Sequence, residues 1–188
     1  MNQEKDKSPI LKHWLNFTWE ILKIVIISLA IVIPIRYFLI QPFFVKGASM
    51  DPTFLDGDYL IIDEISYRFT EPERGDVIIF KYPLDTSQFF IKRIIGLPGE
   101  TVRIENGRVH INSEELEEEI ILDESEYLSN TKTPGNIEIR LEEDEYFVLG
   151  DNRRASSDSR KWGELEESYI IGKAWIRAWP INRLEIIE

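Results

Sequence analysis

The side chains available for catalysis are few, and they narrow the choice of nucleophile and base. The 188 residues include no cysteine and only two histidines, His13 and His110. Cysteine nucleophiles, thiolate zinc sites, iron–sulfur clusters and disulfides are therefore excluded. With only two histidines, a Ser-His-Asp triad or a multi-histidine metal site is disfavoured. A lysine is then the candidate base for a serine nucleophile, since Ser-Lys pairs are a known variant of the triad.

Ser49 and Lys92 are the candidate pair. Ser49 lies between Gly47 and Pro52, where glycine and proline interrupt an apolar β pattern. Lys92 lies within the apolar run 89–95, whose side chains would desolvate the amine, lower its pKa and leave it neutral near the working pH. The plain alternative is a turn around the serine and a surface charge at the lysine. Spacing alone does not separate the two interpretations.

The element that precedes these residues is the most apolar stretch of the chain, residues 21–40. A helix of roughly 20 mostly apolar residues is long enough to cross a bilayer. We predict a transmembrane anchor at 21–40 after an N-terminal tail at 1–20, with Pro34 kinking or ending the helix. The alternatives are a cleaved signal peptide and a buried helix of a soluble protein.

Charge divides the chain beside that stretch. Residues 1–40 carry a net charge of +2 and residues 41–188 carry −14, within a total of −12. Basic residues before an apolar span favour a cytoplasmic N-terminus, so the acidic part is expected on the other side of the membrane. A nucleic-acid partner is not expected, because phosphate backbones are bound by clustered lysine and arginine.

Residues 41–188 are predicted to form a mostly β catalytic domain, built as sheets or a barrel. Short β-branched and aromatic runs predict strands at 58–63, 76–82, 88–95, 101–104, 108–111, 137–141, 146–149 and 170–179. Residues 114–136 contain eight carboxylates by position 126. They lack the ligand spacing of a calcium loop, so we predict a mobile, solvated acidic segment.

Four segments combine glycine or proline with polar residues: 47–53, 74–76, 92–100 and 150–160. Each has a plain explanation as a turn or a polar surface loop. In this order, behind an apolar segment, their residues resemble the motifs of type I signal peptidases, the membrane-bound Ser-Lys leader peptidases. The resemblance implies a β-sheet or barrel-like catalytic domain of the signal peptidase type behind an N-terminal transmembrane helix.

The resemblance assigns roles to individual residues. Ser49 is the implied nucleophile and oxyanion donor through its backbone N–H, and Lys92 is the implied general base. Ser156 is implied to orient the lysine amine. The other implied supporting residues are Asp158, Arg160, Asp151 and Asn152, and the implied substrate-binding residues are Val45, Met50, Phe54, Phe90 and Ile91.

One position departs from the motif of the signal peptidases. In the best-studied branch, a serine two positions before the nucleophile donates its hydroxyl to the oxyanion, and that position is Gly47 here. The second donor is then a backbone group, a water, or absent. The loss of one such donor typically costs about 2.7–4 kcal/mol of transition-state stabilisation.

The function implied by the resemblance is removal of signal peptides from exported preproteins after a small-x-small site. The implied setting is a plasma or thylakoid-type membrane near the secretion translocase, with lipid as a partner and no metal or organic cofactor. A self-cleaving repressor-type Ser-Lys protease is a rival that the apolar segment and the acidic domain disfavour. A second rival is a catalytically impaired, membrane-tethered scaffold that binds leader peptides or partners.

Overall fold

The computed structural model describes residues 9–38, 41–113, 118–128 and 132–187. The chain divides between Leu39 and Ile40 into two compact units, an N-terminal helix and a β domain. This division falls beside the boundary expected from the hydropathy pattern.

The first unit contains one long helix, α1 (Pro9–Phe38). It begins inside the segment expected to be a tail, because proline is well tolerated at the first helical position and no glycine or proline follows until Pro34. It also runs past Pro34, so this residue does not end the helix. Its part His13–Ile33 is long and apolar enough to cross a membrane, with a mean hydropathy of 1.9 and exposed side chains throughout.

The second unit is built from β strands, as expected. Its described residues contain twelve strands, in chain order β1 (Gln41–Phe44), β2 (Tyr59–Asp63), β3 (Val77–Tyr82), β4 (Asp85–Gly96), β5 (Thr101–Glu105), β6 (Arg108–Asn112), β7 (Ile120–Ile121), β8 (Ile137–Arg140), β9 (Glu145–Leu149), β10 (Leu165–Glu166), β11 (Ile170–Trp179) and β12 (Glu185–Ile186). One helical turn, α2 (Ser159–Trp162), lies between β9 and β10. The mostly β fold class with an N-terminal apolar helix is therefore confirmed.

The strands form two antiparallel sheets. The larger has the order β1-β2-β11-β3-β4-β9-β10, with β12 paired to β11. The smaller has the order β7-β6-β5-β8. All eight predicted strands are present; β1, β7, β10 and β12 were not predicted, and three of these have only two residues.

Strand β3 is packed on both faces, which makes it a rigid support for β4 beside it. Val77 and Ile79 belong to one apolar cluster, while Ile78 and Phe80 belong to another. Complete burial of such a side chain contributes about 1.5–3 kcal/mol. The antiparallel register places Ile78 opposite Lys92 of β4.

The acidic segment differs in part from the expectation. Its described part, residues 118–128, contains strand β7, which pairs with β6. Leu128 is buried and Leu122 packs against a core cluster, so part of the segment is attached to the domain, while most of its described residues are exposed. Apolar side chains spaced among the carboxylates account for the packing. Residues 114–117 and 129–131 of the segment lie outside the described residues.

Candidate active site

The structure brings the side chains of Ser49 and Lys92 together across 43 residues of sequence. Ser49 lies in the turn region between β1 and β2, and Lys92 lies on β4. The Lys92 amine lies 2.9 Å from the Ser49 hydroxyl oxygen and donates a second hydrogen bond of 2.7 Å to the carbonyl of Ile91. A neutral amine at this distance can accept the serine proton directly.

The Lys92 amine is almost completely removed from solvent. Its residue is 3% exposed, and the nitrogen lies 5.2 Å from the centre of the Phe90 ring. Burial lowers the pKa of Lys92 from 10.5 to about 8, although the nearby carboxylates of Asp158 and Asp151 act in the opposite direction. A substantial fraction of the amine is therefore neutral at pH 8.

Residues 150–152 contact the backbone of Ser49. The backbone N–H of Asn152 donates to the Ser49 carbonyl at 3.0 Å. A Cβ atom at Gly150 would overlap both that carbonyl and the Ser156 side chain, so only glycine allows this close approach. The N–H of Gly150 donates to the Asp158 carboxylate at 3.1 Å.

Asp151 contacts two of the other three motif segments directly and is connected to the remaining one through Arg93. It accepts two hydrogen bonds from the Arg93 guanidinium, of 2.9 and 2.8 Å, and one of 2.5 Å from the Thr53 hydroxyl. Arg93 also donates to the carbonyl of Gly75 at 2.8 Å. Segments that are far apart in sequence therefore meet at one buried carboxylate.

Asp158 and Arg160 form the pair expected beside the site. The guanidinium of Arg160 donates hydrogen bonds of 2.8 and 2.7 Å to the two carboxylate oxygens. Burial alone would raise the pKa of Asp158, but the hydrogen bonds and charge of Arg160 lower it below its ordinary value. Asp158 also caps α2 through the backbone N–H of Arg160. The residue is therefore an anion close to the lysine amine.

Ser156 is placed differently from the expectation. Its hydroxyl is buried beside Gly150 and, with Arg160, lowers the pKa of the Asp158 carboxyl, although it makes no well-aligned hydrogen bond within the described part of the chain. The expected bond from this hydroxyl to the Lys92 amine is not formed. The amine instead contacts the Ser49 hydroxyl and the Ile91 carbonyl.

A groove of about 720 Å³ opens at the Ser-Lys pair. It is lined by Phe43, Phe44, Lys46, Gly47, Ala48, Ser49, Gln88, Phe89, Phe90, Ile91, Lys92, Ala155 and Ser157. Two of these residues, Phe90 and Ile91, are among those expected from the sequence to bind substrate. Gln88 and Phe89 were not among them, although the predicted strand 88–95 contains both.

The other three expected substrate-binding residues do not line the groove. Val45, Met50 and Phe54 are buried in the apolar cluster that also contains Leu60 and Ile62 of β2. Their side chains face the interior, and their contribution is to support the segment that carries the serine.

The backbone conformation at position 47 explains why a glycine is found there. Its φ is +86°, a backbone region that side chains with a Cβ rarely adopt. Its N–H donates to the Asp56 carboxylate at 2.7 Å, so this backbone group already has a partner. Among the described residues, no group of three histidine, aspartate or glutamate side chains is placed to hold a metal ion.

Comparison with known proteins places the chain among signal peptidases. The profile of the family described as signal peptidase, peptidase S26, matches residues 18–179. A probable signal peptidase I-1 of Synechocystis sp. is 37% identical over 183 residues, which cover 94% of this chain and 89% of the relative. The signal peptidase I of Leptolyngbya laminosa is 38% identical over 97% of this chain and 86% of its own length.

Two further relatives carry the same description. The signal peptidase I of Bacillus amyloliquefaciens is 35% identical over 96% of this chain and 95% of the relative. A crystal structure of a signal peptidase I from Enterococcus faecalis matches 55% of this chain and 97% of that chain, at 32% identity and a TM-score of 0.47.

Proposed function

The chain belongs to the signal peptidase family, peptidase S26, and we propose that it is a membrane-anchored serine endopeptidase that removes signal peptides from preproteins. The proposed nucleophile is Ser49 and the proposed general base is Lys92. The observation that carries this assignment is the 2.9 Å contact between the serine oxygen and a buried amine whose pKa is lowered to about 8.

The proposed reaction begins with transfer of the Ser49 hydroxyl proton to the neutral Lys92 amine as the oxygen attacks the scissile carbonyl. The tetrahedral intermediate collapses, the C–N bond breaks, and the Lys92 ammonium returns the proton to the leaving amine. An acyl-enzyme on Ser49 remains. Water then attacks this ester while Lys92 takes its proton. The bond between the Ser49 oxygen and the acyl carbon breaks, the signal peptide leaves with a new carboxylate, and Lys92 returns the proton to the Ser49 oxygen. The backbone N–H of Ser49 is the proposed oxyanion donor.

The proposed substrate is an extended chain that adds to the open edge of β4. On one side β4 pairs with β3 from Asp85 onward, whereas on the other side it pairs with β9 only from Arg93 onward. The edge just before Lys92 is therefore free for backbone hydrogen bonds with a peptide. Alternate side chains of an extended peptide point the same way, which is consistent with recognition of a small-x-small site.

The proposed location is a membrane that α1 crosses once, with the N-terminus in the cytoplasm and the β domain on the other side. The apolar length of His13–Ile33 supports the crossing, and the charge difference between the two parts of the chain supports this orientation. Preproteins, lipid and a nearby translocase are the proposed partners. Modification of single cysteines introduced before and after the helix, in sealed vesicles, tests the orientation.

The test of the activity is cleavage of a preprotein with an Ala-x-Ala site by the full-length protein in detergent. Wild type, Ser49→Ala and Lys92→Ala are compared, with the product ends read by mass spectrometry. Lys81→Ala is the matched control, because Lys81 is an exposed lysine on the neighbouring strand β3. A single cut after the second alanine, lost in the first two variants and retained in the control, is expected.

Two outcomes would contradict the proposal in different ways. Cleavage that survives Lys92→Ala would keep the peptidase and remove the lysine from its mechanism. Binding of the preprotein by folded wild type without any cut would favour a scaffold that binds leader peptides.

A further inference from the structure

Two buried arginines hold the loop that positions the nucleophile. Arg93 donates two hydrogen bonds to the Asp151 side chain, and the Nε atom of Arg153 donates one of 2.9 Å to the Gly150 carbonyl. The same loop holds the Ser49 carbonyl through the N–H of Asn152. The position of the nucleophile therefore depends on where these two guanidinium groups lie.

Both arginines also contact side chains of the acidic segment. The carboxylate of Glu124 accepts hydrogen bonds from both terminal nitrogens of Arg153. The ring of Tyr127 lies 4.1 Å from the central carbon of the Arg93 guanidinium, within the range of a cation–π contact. The Tyr127 hydroxyl also donates to Glu124 at 3.2 Å.

The pair formed by Glu124 and Arg153 is the stronger of these connections. The Arg153 side chain is completely buried and the Glu124 side chain is 10% exposed. A buried guanidinium needs an anion, because an unpaired charge in the interior is strongly unfavourable. Bidentate pairing also fixes the plane of the guanidinium, and with it the direction of the Nε–H that reaches Gly150.

We propose that Glu124 is a positioning residue for the peptidase reaction, acting through Arg153 and Gly150 on the backbone of Ser49. The inference rests on the proposed function. It gives the acidic segment, which lies outside the four motif segments, a part in catalysis although it does not line the groove. Glu124 contacts neither the substrate groove nor the reacting atoms. Its replacement is therefore expected to change kcat rather than KM.

The test compares Glu124→Gln with Glu118→Gln in the full-length protein in detergent. Both changes remove one carboxylate charge from the same segment, but Glu118 is exposed. Initial rates on the Ala-x-Ala preprotein are measured well below the unfolding temperature of each variant. We expect Glu124→Gln to lower kcat by about 10- to 100-fold with little change in KM, because a small misplacement of the nucleophile slows the chemistry. Glu118→Gln is expected to match wild type.

A second pair of variants separates positioning from charge compensation. Arg153→Met removes the bond to Gly150, and its combination with Glu124→Gln leaves no unpaired charge in the interior. Replacing both members of a buried ion pair often preserves the fold. We expect the double variant to unfold near the wild-type temperature and still to show a kcat as low as the single variants.

A wild-type kcat in the double variant would mean that Glu124 only neutralises a buried charge, and would overturn the proposal. So would a wild-type kcat in Glu124→Gln alone. Loss of the proposed function is a distinct result, because it requires that the wild-type protein show no cleavage that Ser49→Ala abolishes.

Discussion

Replacement of Lys92 by methionine is expected to abolish cleavage and, at neutral pH, to stabilise the fold. The amine is charged in the unfolded chain up to its ordinary pKa of 10.5, whereas burial lowers the pKa to about 8 in the folded protein. At 1.36 kcal/mol for each pH unit, the charged amine destabilises the folded state by about 3 kcal/mol below pH 8. Methionine has a similar length and no such desolvation cost.

Lost hydrogen bonds offset part of this gain. The amine contacts the Ser49 hydroxyl and the Ile91 carbonyl, and each hydrogen bond contributes about 1 kcal/mol. The expected net stabilisation by Lys92→Met is therefore about 1 kcal/mol at pH 7. Between about pH 8 and 10.5 the unfolded chain binds the proton and the folded protein does not, so the stability of wild type rises with pH. The variant lacks this rise and is expected to become the less stable protein near pH 10.5.

The measurement is pulse proteolysis in urea on the full-length proteins in detergent, between pH 7 and 10.5. The quantity of interest is the difference in unfolding free energy between wild type and variant, since effects common to both cancel. Lys81→Met removes an exposed lysine from β3 and is expected to leave the pH dependence of wild type unchanged. A difference between wild type and Lys92→Met that stays constant across this range would refute the claim that the amine is desolvated.

Three further outcomes are expected for activity. The value of kcat/KM rises with pH through a midpoint near 8 as Lys92 loses its proton, and a flat profile from pH 6 to 9 with rate-limiting chemistry would contradict the lysine base. Gly150→Ala lowers kcat by about 100-fold, because its Cβ overlaps the Ser49 carbonyl and Ser156; unchanged single-turnover rates would contradict this. Lys46 lines the groove, so Lys46→Glu is tested on two substrates that carry either Glu or Lys between the two small residues. The variant is expected to shift the ratio of their kcat/KM values by about 2- to 5-fold in favour of the Lys substrate. An unchanged ratio would show that position 46 does not contact this substrate residue.

The sequence carries most of the strand positions, because β-branched and aromatic runs with turn residues at their ends are local signals. Burial is a different matter. Alternation predicts that Val45 and its neighbours have an inner and an outer face, but not which face meets the groove. The structure places Val45, Met50 and Phe54 in the core and the exposed Phe89 in the groove lining.

Long-range pairs are harder to predict, because nothing in the spacing joins them. The scarcity of histidine makes Ser49 and Lys92 a candidate pair and the resemblance to a family gives them roles, but their separation of 43 residues carries no such signal. Arg153 lies in a polar loop, and a charged side chain in such a loop is expected at the surface. It is nevertheless buried against Glu124, 29 residues earlier. The carboxylate-rich composition of that segment concealed the few apolar residues that attach it to the domain.

The four motif segments behave as one physical unit, and the reason is the cost of buried charge. Arg93 and Asp151 belong to different segments, and each has little contact with solvent. Removal of one partner leaves the other charged and unpaired in the interior, which typically costs about 3–5 kcal/mol.

The same carboxylate receives the Thr53 hydroxyl, and the same guanidinium holds the Gly75 carbonyl. These contacts connect all four segments physically. A desolvated amine at Lys92 weakens the folded state at neutral pH, and the ion pairs around it keep that amine in position against the serine. The presence of all four segments in order is for this reason stronger support for a working site than the presence of the serine and lysine alone.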